Sequence, residues 1–255
     1  MDQVAEQGGI ETTWLNQTRK GMHLSHFDFP VKRDYRHDTM SRLESEFVMK
    51  LYGSKGCGSA TPEALFSVLG INAEINDVVV EPPEATDPAY LAINPLGQVP
   101  ALKLPDGTVI TESVAIILTI LDADESARLA PARGTSARAE MYRWITYCAF
   151  NIYAPIIVGD FPDRWCPQKS AQEEFKQATV RVTEEAWRVM DRAVKPAPYL
   201  LGPSMTALDI YVAMLSRWRP SRAWIDANCP NLSAAVKRTE EHPRVAEVWR
   251  RHFNS

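Results

Sequence analysis

The chain has 255 residues, 45% of them hydrophobic, enough to bury one large core or two modest ones. Its net charge of −4 gives no general field for capturing nucleic acid or an anionic membrane, and its apolar runs are far too short to span a bilayer. Four dispersed cysteines (Cys57, Cys148, Cys166, Cys229) without C-x-x-C or zinc-ligand spacing suit reduced thiols in a cytoplasmic protein without a metal site. All five histidines lie near the ends, which argues against Ser-His-Asp and Cys-His chemistry in the body of the chain. His23-x-x-His26 has metal-clasping spacing, but in a polar tail it reads as two solvated side chains.

Residues 1–45 are polar, mixed in charge and aperiodic, the pattern of a poorly ordered extension, and the acidic start lacks the apolar stretch of a secretory signal. A first domain is expected over residues 46–122. In it, "FVMKLY" reads as a strand, "SATPEALFSVLG" as a helix closed by Gly70, and "AEINDVVV" as a second strand. "EPPEATDP" is turn-rich, and "AYLAINP" is a short helix stopped by Pro95. "VPALKLPDGTVI" forms a hairpin about Pro105-Asp106-Gly107, and "TESVAIILTILD" a helix with Val114, Ile117, Leu118 and Leu121 facing inward. The order is βαβαββα.

Residues 123–134 have linker composition, and residues 135–255 read as all helix. Met141, Trp144, Ile145, Cys148 and Ile152 recur at helical spacing until Pro155 kinks or ends the helix. Phe175, Thr179, Val182, Ala186, Val189 and Ala193 define a long second helix; "MTALDIYVAMLSRW" and "PRVAEVWRRHF" give two more.

Three short motifs carry chemistry. The turn "GSKGCGSA" offers Ser54, Cys57 and Ser59 ahead of a helix, where the positive dipole end favours a thiolate at Cys57. A serine there would instead donate a hydrogen bond to a bound thiolate. "NPLGQVPAL" starts a strand with Val-Pro, and a cis Val99–Pro100 bond would leave the Val99 main chain available to an extended peptide. "TES" opens a helix whose first N–H groups suit a carboxylate, with the Ser113 hydroxyl beside them and Glu112 ready for an ammonium; alone, such a motif is more often plain capping.

Together these motifs resemble the glutathione transferase superfamily over roughly residues 47–253. The resemblance implies a thioredoxin-like α/β domain followed by an all-α domain, glutathione as co-substrate, no metal, and a homodimer. It implies that Gln98, Val99, Pro100, Glu112 and Ser113 bind glutathione and that Cys57, or secondarily Ser59, handles its sulfur. "LLGPSMTALDIYVAML" resembles the family's buried capping box, with Thr206, Asp209 and a Met205–Ile210 staple, a folding device. The electrophile pocket is expected over the first helix of the helical domain, with Tyr147 or Asn151 aimed at the sulfur or the acceptor. Conjugation to a small hydrophobic electrophile is the expected reaction. Thiol transfer from a mixed disulfide through Cys57, or a non-catalytic binding module of the same fold, are the alternatives. Arg217, Arg219 and Arg222 beside two tryptophans read as a solvated helix end rather than an anion receptor.

Overall fold

The computed structural model describes residues 48–79, 87–124, 126 and 128–253. The expected extension over residues 1–45, the His23–His26 pair and most of "EPPEATDP" lie outside them. The first layer is a four-stranded mixed sheet in the order β2-β1-β3-β4, made by β1 (Met49–Gly53), β2 (Ala73–Asp77), β3 (Ala101–Lys103) and β4 (Val109–Ile110). Parallel β1 and β2 need a crossover, supplied by α1 (Ala60–Leu69). The helix ends at Gly70, whose φ of 64° lets its N–H reach back to the Phe66 and Ser67 carbonyls. β3 runs antiparallel to both β1 and β4, closing the expected hairpin. The short helix α2 (Pro88–Leu91) is capped by the Asp87 carboxylate, and α3 (Ser113–Ala123) completes the βαβαββα order. Its inward face is Ile116, Ile117, Ile120 and Leu121, while Val114 and Leu118 are only half-buried.

The helical layer comprises α4 (Ser136–Cys148), α5 (Ala154–Asp160), α6 (Gln172–Ala193), α7 (Ala207–Leu215), α8 (Arg222–Asn228), α9 (Pro230–Glu240) and α10 (Pro243–Phe253). The predicted α4 stripe is buried as expected, from Met141 to Ile152. Pro155 neither ends nor breaks the rod. One π-helical turn, Ala149–Tyr153, intervenes, and helix resumes with Pro155 in its first turn. The wide turn gives room for a ring that would otherwise press on the carbonyl four residues back.

On α6 the expected stripe is displaced: Val182 and Val189 are exposed, while Thr183, Ala186, Trp187 and Met190 are buried. Trp187, outside the expected stripe, supplies the largest core side chain there. Helices α8 and α9 were absent from the sequence expectation, although Ser221 caps the first and Pro230 opens the second. One apolar cluster runs through both layers, from Leu51, Leu65 and Ile117 to Trp144, Trp187, Tyr211 and Trp249.

Beneath α7 the capping box forms as expected. The Asp209 carboxylate accepts from Thr206 N–H at 2.8 Å, Thr206 Oγ1 at 2.7 Å and Leu200 N–H at 2.8 Å, and Met205 and Ile210 lie in the core. Asp209 is structural. Its carboxyl pKa is raised by burial, with the three donors pulling it back.

Candidate functional site

The strand register gathers the predicted residues at one end of the sheet. Tyr52 pairs with Ala101 and Leu102 with Ile110. Continuing both ladders sets Pro100 level with Gly53 on one side and Glu112 on the other. The turn after β1, the start of β3 and the start of α3 therefore meet at the same end.

Within the turn, Ser59 and Cys57 have different surroundings. Ser59 is buried; its Oγ accepts from Ser54 N–H and donates to Ser54 C=O, both at 3.0 Å. It also lies against Gly53, where an added Cβ would sit 2.5 Å from Ser59 Cβ. Ser59, expected as the second sulfur-handling group, thus uses its proton and one lone pair to lock the loop.

Cys57 is half-buried with a free thiol. Burial raises its pKa above the ordinary 9.0, and a hydrogen bond with Ser54 only partly opposes this. The expected helix-stabilised thiolate is corrected accordingly. Cys57 lies two positions ahead of the N-cap Ser59, and it is its carbonyl that accepts from the Ala60 N–H at 3.1 Å.

Val99–Pro100 is cis, as expected. Val99 lies just outside the ladder, which begins at Ala101. Its loop is anchored from behind: the Gln98 carbonyl accepts from Tyr90 Oη at 2.6 Å and from buried Asn94 Nδ2 at 2.7 Å. Burial pushes the Tyr90 phenol up to about 12, so it stays a donor.

Glu112 is exposed at the N-cap of α3 with φ 66° and ψ 120°, the one non-glycine residue at positive φ among the described residues. An L-residue held there costs roughly 1–3 kcal/mol, and such strain concentrates at ligand-binding positions. Ser113 Oγ shares a 2.9 Å hydrogen bond with the buried Tyr211 Oη of α7. The hydroxyl is thereby fixed at the first turn of α3.

The helical layer supports the turn directly. Trp218 Nε1 donates to the Gly56 carbonyl at 2.9 Å. On α1, the Glu63 carboxylate meets His252 Nε2 at 2.9 Å and Arg251, whose other amine reaches Asp77 at 2.6 Å. Tyr153 packs edge-on against Trp218, centroids 4.9 Å apart, and its hydroxyl abuts Gly58: an added Cβ there would lie 2.4 Å from it. Burial raises the Tyr153 phenol, and the Cys57 and Glu112 charges push it further the same way.

Tyr153 was missed by sequence reasoning, which named Tyr147 and Asn151 instead. Tyr147 Oη donates to the Ala186 carbonyl of α6 at 3.0 Å, and exposed Asn151 donates back to the Tyr147 carbonyl at 3.2 Å. Both hydrogen bonds stay within the helical layer. Tyr147 lies before the π turn and Asn151 within it, while Tyr153 ends it. A proline inside an unbroken apolar period was the available signal.

The arginine-rich stretch is no anion receptor. Arg217 and Arg222 both bond Glu240 at 2.9 Å, and Arg219 pairs with Asp160. The stacking on Trp224 comes from Arg188, 4.8 Å from the ring centroid. Among the described residues no group of histidine, cysteine or carboxylate side chains is arranged to hold a metal.

Comparison with known proteins agrees with this arrangement. The glutathione S-transferase N-terminal domain model matches residues 62–123. The uncharacterized GST-like protein YncG of Escherichia coli (strain K12) is 29% identical over 206 residues, covering 80% of this chain and 98% of its own. Glutathione S-transferase GstA of Escherichia coli O157:H7 is 29% identical over 162 residues, 62% of this chain and 76% of its own. A Sulfitobacter glutathione transferase homolog, solved with bound glutathione, superposes with a TM-score of 0.68 at 25% identity, covering 79% of this chain and 97% of that one. A thioredoxin-like α/β domain followed by helices, with these relatives, supports the glutathione transferase superfamily as the class of this chain.

Proposed function

We propose that this protein is a glutathione transferase that conjugates glutathione to a small hydrophobic electrophile. The observation carrying the reading is the exposed Glu112 at φ 66° on the first turn of α3, level with the cis Val99–Pro100 segment. In this reading the Val99 main chain, between Gln98 and Pro100, pairs with the cysteinyl residue of glutathione as an added strand. Glu112 meets the γ-glutamyl ammonium, and Ser113 with the first N–H groups of α3 meets its carboxylate. In the same reading the sulfur lies beside Cys57.

The raised pKa of Cys57 supports conjugation over chemistry at the protein's own thiol, because it leaves glutathione as the sulfur nucleophile at neutral pH. Calorimetry with glutathione on the wild type and Glu112→Ala is the direct test. Wild-type binding that weakens at least about tenfold in the variant supports the clamp, a tenfold loss being the scale of one charge-assisted contact. Absence of binding at millimolar glutathione would favour a non-catalytic binding module.

The partial exposure of Cys57 favours a second reading, reduction of a glutathione mixed disulfide. Disulfide reductase activity lost in Cys57→Ser, with chloronitroaromatic conjugation retained, would establish it. The family resemblance also supports a cytoplasmic homodimer divided near residues 123–134. Sedimentation showing a monomer at micromolar concentration would remove the dimer.

A further inference from the structure

Of the Tyr90, Tyr147, Tyr153 and Tyr211 hydroxyls, the fold holds all but one. Tyr90 Oη donates to Gln98, Tyr147 Oη to Ala186, and Tyr211 Oη is bonded to Ser113. The Tyr153 hydroxyl has no hydrogen-bond partner among the described residues, yet it is the one placed against the turn that precedes α1. Its ring is immobilised edge-on by Trp218, and Trp218 is itself bonded to the Gly56 carbonyl of the same turn. The π turn Ala149–Tyr153 ends on this residue and sets its direction.

Gly58 completes the arrangement. Its φ lies outside the left-handed region, so backbone conformation does not demand a glycine. Space does: a methyl group at this position would stand 2.4 Å from the Tyr153 oxygen and 3.2 Å from Cζ. Glycine between Cys57 and Ser59 therefore keeps open the approach of a phenol from the other layer.

We propose that Tyr153 is a catalytic residue whose hydroxyl donates a hydrogen bond to the sulfur of bound glutathione at the Cys57–Gly58 turn. The assignment rests on the transferase reading above. The glutathione thiol loses its proton to solvent, and the phenol stabilises the resulting thiolate without transferring its own proton. With a chloronitroaromatic acceptor, the sulfur forms a C–S bond, the C–Cl bond breaks, and chloride leaves with its electron pair. Burial keeps the phenol protonated across the working range, as a donor must be. Cys57, half-buried and protonated, lines the same spot as a weaker S–H donor.

The test compares the wild type with Tyr153→Phe, which removes the oxygen and keeps the ring against Trp218. The apparent pKa of the bound glutathione thiol is read from the ultraviolet thiolate absorbance and from the pH profile of chloronitroaromatic conjugation. In Tyr153→Phe the midpoint should move up by about one pH unit, and kcat/KM at neutral pH should fall roughly 10- to 100-fold, the scale of losing one oriented donor. The deficit should shrink at alkaline pH, where thiolate forms unaided, and glutathione affinity by calorimetry should stay within about twofold because the tripeptide clamp is untouched. Gly58→Ala should reproduce the profile by displacing the hydroxyl. Glutathione binding with an unchanged profile in Tyr153→Phe would overturn the Tyr153 assignment alone. A wild type that binds no glutathione would overturn both it and the transferase reading.

Discussion

Replacing Asp209 by alanine probes the structural joint beneath the groove. The carboxylate is 1% exposed and takes three donors: Leu200 N–H, Thr206 N–H and Thr206 Oγ1, at 2.7 to 2.8 Å. Hydrogen bonds to a charged acceptor contribute roughly 1.5–3 kcal/mol each, a gross loss of about 4.5–9 kcal/mol for three. Against this, the mutation removes a buried charge whose desolvation already raises its pKa, a relief of several kcal/mol. The net loss should be about 3–5 kcal/mol, the usual result of stripping one partner from a buried charged network. At about 2–4 °C per kcal/mol for a domain of this size, the melting temperature should fall by about 6–20 °C. Asp209→Asn keeps the volume but turns an amide N–H toward Thr206, so it should lose roughly half as much. Circular dichroism melts and urea titrations would measure both. An alanine variant melting within about 2 °C of wild type would refute the claim that this carboxylate holds the start of α7.

Glu112→Gly should relieve the positive-φ strain and raise stability by about 0.5–1 kcal/mol after the entropy cost of glycine, while weakening glutathione binding. Paired melts and calorimetry would check it, and a destabilised variant would refute the strain argument. Ser59→Ala should lower stability by about 1–2 kcal/mol through loss of the two bonds to Ser54, with conjugation per folded molecule nearly unchanged. Abolished turnover in a well-folded Ser59→Ala would return Ser59 to the chemistry. Alkylation of Cys57 by iodoacetamide should have its pH midpoint above 9.0, and a midpoint below neutrality would contradict the burial argument. The same raised thiol has a stability consequence. The unfolded chain releases this proton first, so Cys57 contributes a stability loss that begins near the unfolded pKa and grows until the folded pKa is passed.

Element types were legible where pattern and punctuation coincide. Gly70 ended α1, Pro105-Asp106-Gly107 made the hairpin, and Thr206 with Asp209 marked the start of α7, because capping and turn chemistry act within a few residues. Val-Pro and Glu-Ser were recognisable for the same reason: each needs only its own backbone to be unusual. The α6 face was misjudged because the deciding contacts come from outside the helix, and the α4–α5 junction because an apolar period does not record a π turn. Trp187 turns inward to fill a volume shared with other elements, and the π turn before Pro155 rotates everything beyond it.

The sequence by itself determined a βαβαββα layer followed by helices, and the loop residues that mark the family. Only the tertiary structure decided the division of labour at the turn. It buried Ser59 as a lock, raised the Cys57 thiol by desolvation, and brought the Tyr153 hydroxyl across from the helical layer to Gly58. Burial and long-range approach are properties of packing between distant segments, and no local spacing records them.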